Sequence, residues 1–142
     1  MKKYLIIHGP NLNLLGEREP DIYGTMTLDQ INHEILEFAK IHDIEVEIFQ
    51  SNSEGEIIDK IHQARKTFDG IIINPAAYTH YSYAIHDALK AVNLPAVEVH
   101  LSDIKNREEF RKISVIKSAC TAQFSGLGWK SYLKGLEYLL GG

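Results

Sequence analysis

Hydrophobic positions change their period in a regular way along this chain. Tyr4-Leu5-Ile6-Ile7 is an unbroken apolar run of strand length, the pattern of a strand covered on both faces. From Leu28 the spacing becomes helical, with Leu28, Ile31, Ile35, Phe38 and Ala39 on one face, and Thr27 with Gln30 three residues later forms a capping-box signature. Val46–Phe49 reads as a second strand, and Ser53 with Glu56 opens a second helix that turns Ile57, Ile58, Ile61, Ala64 and Phe68 inward. Gly70–Ile73 is a third strand, stopped by Asn74-Pro75. A helix from near Ser82 aligns Ile85, Ala88, Leu89 and Val92, and Pro95–Val99 makes a fourth strand. Arg107–Lys112 is expected to form a short helical turn, Ser114–Ile116 a fifth strand and Trp129–Leu140 a closing helix.

Strict alternation of strand and helix implies a parallel sheet with helices on both faces, joined by right-handed crossovers. Five strands favour an α/β, flavodoxin-like order, 2-1-3-4-5, in one catalytic domain spanning residues 1–142. Ligands of such sheets bind beyond the carboxyl ends of the strands, near the switch point between strands one and three. The residues expected there are His8 and Asn11 after strand one, Ser51 and Asn52 after strand two, Asn74, Tyr78, Thr79 and His80 after strand three, and His100 and Ser102 after strand four. Polar and titratable groups therefore gather at one rim.

One connection breaks the regularity. The seventeen residues from His8 to Gly24 join the first strand to the first helix, where a few residues usually suffice, and loops of that length inside a domain are usually functional. With turn-formers at Gly16, Pro20 and Gly24 and exposed-type side chains at Arg18 and Tyr23, the stretch reads as a hinged lid at about residues 10–25.

Composition narrows the chemistry. A net charge of -4, with 24% charged and 44% hydrophobic residues, gives no electrostatic footprint for nucleic acid or an anionic membrane. The apolar start ends too early for a signal peptide, and no apolar stretch is long enough to span a membrane, so the chain reads as cytoplasmic. The single cysteine, Cys120, proposes neither an internal disulfide nor a zinc site. The GxGxxG, GxxxxGK[ST], GxSxG and HExxH signatures are missing, and no lysine ends a strand at the rim. Tyr, Arg, His, Glu and Asn remain, a set suited to moving protons and holding oxygens. The residues alone point to an acid–base lyase or isomerase, with a dinucleotide cofactor not expected.

Tyrosine ionises near pH 10 in model peptides, so a neighbouring cation must favour its phenolate before it can act as a base near neutrality. Arg18 can supply that charge to Tyr23 when the loop closes. Tyr23 also reads as a packed anchor and Arg18 as a solvated charge; the length of the loop favours function. Glu98 and His100, two apart at a strand end, point to one side, and the carboxylate can orient the imidazole as a general acid. Asn11 and Asn74 fit turn positions as well as a site. Arg111 could clamp a hydroxyl or carboxylate, and Ser102 could help to bind an anion; His80 alone says little. His33, His42, His62 and His86 fall on helical faces and suggest no chemistry.

At these residues the chain resembles the type II 3-dehydroquinate dehydratases, or type II dehydroquinases. The matching stretches are GPNLNLLGEREPDIYG (Gly9 to Gly24), QSNSEGEIIDKIHQA (Gln50 to Ala64), INPAAYTH (Ile73 to His80), HDAL (His86 to Leu89) and VEVHLSDIKNREEFR (Val97 to Arg111). The resemblance implies a flavodoxin-like fold and a trans elimination of water from 3-dehydroquinate, giving 3-dehydroshikimate through an enolate without metal or covalent intermediate. It implies Tyr23 as the base with Arg18 favouring its phenolate, Asn11 holding a water at the enolate, and His100, oriented by Glu98, as the acid. It further implies that Asn74, His80 and Arg111 contact substrate hydroxyls, that Leu101 and Ser102 hold the carboxylate, and that Asp87 reaches a neighbouring subunit's site in a homo-oligomer, a dodecamer built from trimers. Tyr81, Tyr83, Ala122 and Phe124 depart from the family's usual pattern, at positions that bear on packing and subunit contacts. Two other readings compete: a flavodoxin-like module binding a flavin or nucleotide, which lacks a phosphate-cradling loop here, and a metal hydrolase using His8, His80, Glu98 and His100.

Overall fold

The computed structural model describes residues 1–17 and 19–141. Five strands, β1 (Lys3–His8), β2 (Glu45–Gln50), β3 (Gly70–Asn74), β4 (Ala96–Val99) and β5 (Ala122–Phe124), form one parallel sheet in the order β2-β1-β3-β4-β5. A short helix α1 (Pro20–Tyr23) precedes the main helices α2 (Leu28–Ile41), α3 (Glu54–Ala64), α4 (Tyr83–Val92) and α5 (Lys130–Leu139). The expected flavodoxin-like α/β order is the one observed.

The all-apolar strands serve two cores. Tyr4 and Ile6 of β1 and Ile72 of β3 pack with α2 and α5 through Ile31, Ile35, Tyr132 and Leu136. Leu5, Ile7, Ile71 and Ile73 pack on the opposite face with Ile57 and Ile61 of α3 and Ile85 and Leu89 of α4. Alternation within each central strand therefore feeds both layers, and each fully buried Ile or Leu contributes about 1.5–3 kcal/mol of transfer free energy. Gly135 lets α5 settle against the sheet, because a Cβ there would stand 2.8 Å from the Ile72 Cδ1 atom.

Helix starts follow the capping chemistry. Thr27 and Gln30 form a complete capping box, while Ser53 and Ser82 accept from the N–H groups of Glu56 and Ile85. The Glu56 side chain completes no box; it accepts a hydrogen bond from Ser51 Oγ instead.

The fifth strand lies elsewhere than its sequence pattern indicates. Ser114–Ile116 is not a strand: Val115 N–H donates to the Thr79 carbonyl at 2.8 Å, Ser114 Oγ accepts from the N–H groups of Ile116 and Lys117, and fully buried Ile116 plugs the α3/α4 core. Ala122–Phe124 pairs with β4 in its place, Val97 opposite Ala122 and Val99 opposite Phe124. The long connection after β1 is also structured where it is described. It makes a 3-10 turn at Leu12–Leu14 and the helix α1, and it buries Leu12 and Leu15 in the α2/α5 core.

Candidate active site

β1 and β3 run side by side with His8 opposite Asn74 at their carboxyl ends. The chain leaves β1 through Gly9, whose N–H donates to the Asn74 carbonyl at 2.8 Å. A side chain could not fit there: a Cβ on Gly9 would lie 2.8–2.9 Å from backbone atoms of Asn74 and Pro75. This close crossing opens the rim at the switch point. A cavity forms over it, lined by Asn11, Tyr23, Asn74, His80, His100, Leu101, Ser102, Arg107 and Arg111, with Leu12, Ala76, Ala77 and Ile104 as its apolar walls.

Most of the side chains singled out from the sequence thus meet in one place. Glu98 stands behind the cavity, fully buried, and its carboxylate accepts from His100 Nε2 at 2.5 Å, from Ser114 Oγ at 2.9 Å and from Thr79 Oγ1. Burial pushes this carboxyl up, but the hydrogen bonds and charge of His100, with the bonds from Thr79 and Ser114, outweigh it and hold Glu98 below the usual carboxylate range. With Nε2 committed to Glu98, His100 has Nδ1 left for the cavity. His80 is fixed by its Nδ1–H, which donates to the Ile113 carbonyl at 2.7 Å, and its ring packs on Phe110. Burial, together with the charges of His100 and Arg111, lowers its pKa despite that bond. Arg111 is tied to Glu108 at 2.9 Å and lies over the Phe110 ring.

Four placements differ from the sequence reading or extend it. Arg18 lies outside the described residues. Asp87 is on α4 with its carboxylate exposed and paired to His86 at 3.1 Å, and it is not in its own chain's cavity. His8 is not a rim residue: it is fully buried, bonded to Tyr132 and Asn32. Arg107, read only as the start of a short helical turn, is at the centre of the site. It donates to the Tyr23 hydroxyl and to Ser102 Oγ, both at 3.2 Å, with its guanidinium 5.4 Å from the Tyr23 ring centroid. Its place inside the VEVHLSDIKNREEFR stretch is the one signal the sequence offers for it. Among the described residues, no group of three or more His, Cys, Asp or Glu side chains is arranged to hold a metal ion.

The family model for class II dehydroquinases matches residues 2–140. The chain belongs to the class II dehydroquinase family. A 3-dehydroquinate dehydratase from Caldicellulosiruptor bescii is 61% identical to this class II dehydroquinase over 140 residues, covering 98% of this chain and 97% of the relative. One from Clostridium botulinum is 53% identical over 140 residues, covering 99% and 95%. Among solved structures, the type II dehydroquinase from Butyrivibrio crossotus superimposes with a TM-score of 0.96 at 50% identity, covering 98% of this chain and 97% of that one. In this dehydroquinase the cavity presents two guanidinium groups, Arg107 and Arg111, although the whole chain carries a net charge of -4. That local excess suits an anionic ligand.

Proposed function

We propose that this dehydroquinase removes water from 3-dehydroquinate to give 3-dehydroshikimate, as a hydro-lyase of the shikimate pathway in the cytoplasm. The observation that carries the reading is that a phenol held by a guanidinium, Tyr23 with Arg107, shares one cavity with an imidazole backed by a buried carboxylate, His100 with Glu98. The two pairs supply a base and an acid for an elimination.

Tyr23, as phenolate, takes the proton alpha to the ketone. Arg107 holds the Tyr23 oxygen by a hydrogen bond and sets its charge beside it, and by family resemblance Arg18 supports the phenolate. The electron pair left on carbon moves into an enolate, whose oxygen is held by a water on Asn11. The enolate then collapses to the conjugated ketone as the C–O bond breaks, and His100 gives its proton to the departing hydroxyl, leaving as water. Ser102 and Leu101 hold the substrate carboxylate, and Asn74, His80 and Arg111 its hydroxyls. The mechanism uses no metal or cofactor and forms no covalent intermediate.

Asp87, exposed on α4, belongs to a neighbouring subunit's site in a homo-oligomer, a dodecamer of trimers. Exposed Tyr81 and Tyr83 lie a few residues before it in the chain, and Phe110 and Ile113 are exposed on the segment after β4; these apolar side chains support such contacts. The dehydration test is direct: 3-dehydroquinate added to purified protein should produce a conjugated ketone that absorbs in the ultraviolet. Activity should survive borohydride added with substrate, whereas inactivation would mean an imine route.

A further inference from the structure

Behind Asn74, on the side away from the cavity, runs a buried chain of side chains that the elimination does not use. Asn74 Nδ2 lies 3.1 Å from the Tyr132 hydroxyl, that hydroxyl lies 2.8 Å from His8 Nδ1, and His8 Nε2 lies 2.8 Å from Asn32 Oδ1. Tyr132 and His8 are fully buried and Asn74 nearly so.

The donors and acceptors allow one direction only. The Ala76 N–H, a backbone donor that cannot reverse, points at Asn74 Oδ1 at 3.1 Å. The amide nitrogen therefore faces Tyr132, and the Tyr132 oxygen accepts from it. The Tyr132 proton, fully buried, then needs an acceptor of its own, and His8 Nδ1 is the one within reach. His8 is consequently neutral with its proton on Nε2, which donates to Asn32 Oδ1. Burial agrees, since it pushes the His8 pKa down to about 4, against the small upward pull of Asn32.

One Nδ2 hydrogen of Asn74 is spent on Tyr132, and the other is the one offered to a ligand in the cavity. We propose that Tyr132 and His8 are positioning residues which lock the rotation of the Asn74 amide, so that its second Nδ2 hydrogen is the one left for the substrate. This assignment rests on the dehydratase reading for the substrate's identity, but not for the geometry. Each partner holds the next: α2 supplies Asn32, β1 supplies His8, α5 supplies Tyr132 and β3 supplies Asn74. The relay thus ties the site to both the sheet and the helices beneath it.

Tyr132→Phe removes only the hydroxyl. It should lower kcat/KM for 3-dehydroquinate about tenfold, the effect of leaving a hydrogen-bonded group without its partner. In an Asn74→Ala background the same change should cost less than about twofold, because the residue through which Tyr132 acts is gone. A merely structural Tyr132 would carry its tenfold effect into that background and overturn the proposal.

If Tyr132→Phe folds poorly, His8 gives the same test. His8→Leu should show about the same loss, and His8→Asn, whose Oδ1 stands near the place of Nδ1, should recover most of it; equal loss in both overturns the relay. A crystal structure of Tyr132→Phe, or of His8→Leu, decides the geometry without any assay. With only the Ala76 N–H left to hold it, the Asn74 amide should tilt about that bond and lose its single position, and an unmoved amide overturns the proposal. Inactive wild-type protein would sink the dehydratase reading and leave the relay to be judged by that structure.

Discussion

Arg107 binds two oxygens at once, the Tyr23 phenol and the Ser102 hydroxyl. Both bonds leave one nitrogen, Nη1, and the planar guanidinium, 5.4 Å from the Tyr23 ring centroid, packs on the ring in a way that a lysine ammonium, a compact point charge, does not reproduce. Arg107→Ala should therefore reduce kcat/KM by about a hundredfold and Arg107→Lys should recover little of it, as steady-state kinetics would check. Full recovery by lysine would show that charge alone matters. Glu98→Gln turns one of the acceptors on His100 into an amide and should lower kcat by about tenfold or more while the fold persists; unchanged kcat would remove Glu98 from the acid's support. Tyr23, Glu98 and His100 are legible in the sequence, because a long loop and a two-residue spacing at a strand end each carry a physical reason. Arg107 is not, because its partner is 84 positions away and no periodicity links them. Thr79 and Ser114 are unreadable as donors to Glu98 for the same reason.

Among the elements, helices are easier to read than the edge of the sheet. Thr27, Ser53 and Ser82 each cap a helix whose inward face follows the 3.6-residue spacing, so local chemistry and packing agree. The edge strand β5 offers no such agreement. Ala122-Gln123-Phe124 has no β-branched residue and is only half-buried, whereas Val115 and Ile116 carry the strand-like composition while serving as a core plug. Replacing Ile116 with alanine should thus cost about 2–5 kcal/mol in a denaturant titration, the range for emptying a buried isoleucine site. A loss below about 1 kcal/mol would mean the plug is not packed as described. In the first connection, the buried anchors Leu12 and Leu15 explain how a loop of that length is held at its β1 end.

At the scale of the molecule, stability should depend on pH through the buried relay. His8 binds its proton near pH 6.5 when unfolded and at about 4 when folded, so between those values the unfolded chain holds more protons and stability falls as pH drops. The loss attributable to His8 is about 2 kcal/mol between pH 7 and pH 5. Urea midpoints should show it, and His8→Asn should flatten the slope; an identical slope in that variant would remove His8 as the cause. Glu98, held below the usual carboxylate range, is stabilising above that range and adds its own loss as the pH falls through it. The sheet order and switch point are legible in the sequence because alternating elements leave few topologies. The buried relay is not, since it joins residues from four separate elements.

Everything proposed for this cavity turns on Tyr23 as the group that takes the substrate's proton. Tyr23→Phe deletes one oxygen and leaves the ring in place. Measured by the ultraviolet absorbance of the product, its kcat on 3-dehydroquinate should fall by about 10²–10⁴-fold, the usual worth of a positioned base, with an unchanged circular dichroism spectrum. A variant turning over within about twofold of the wild type would mean that another group takes the proton.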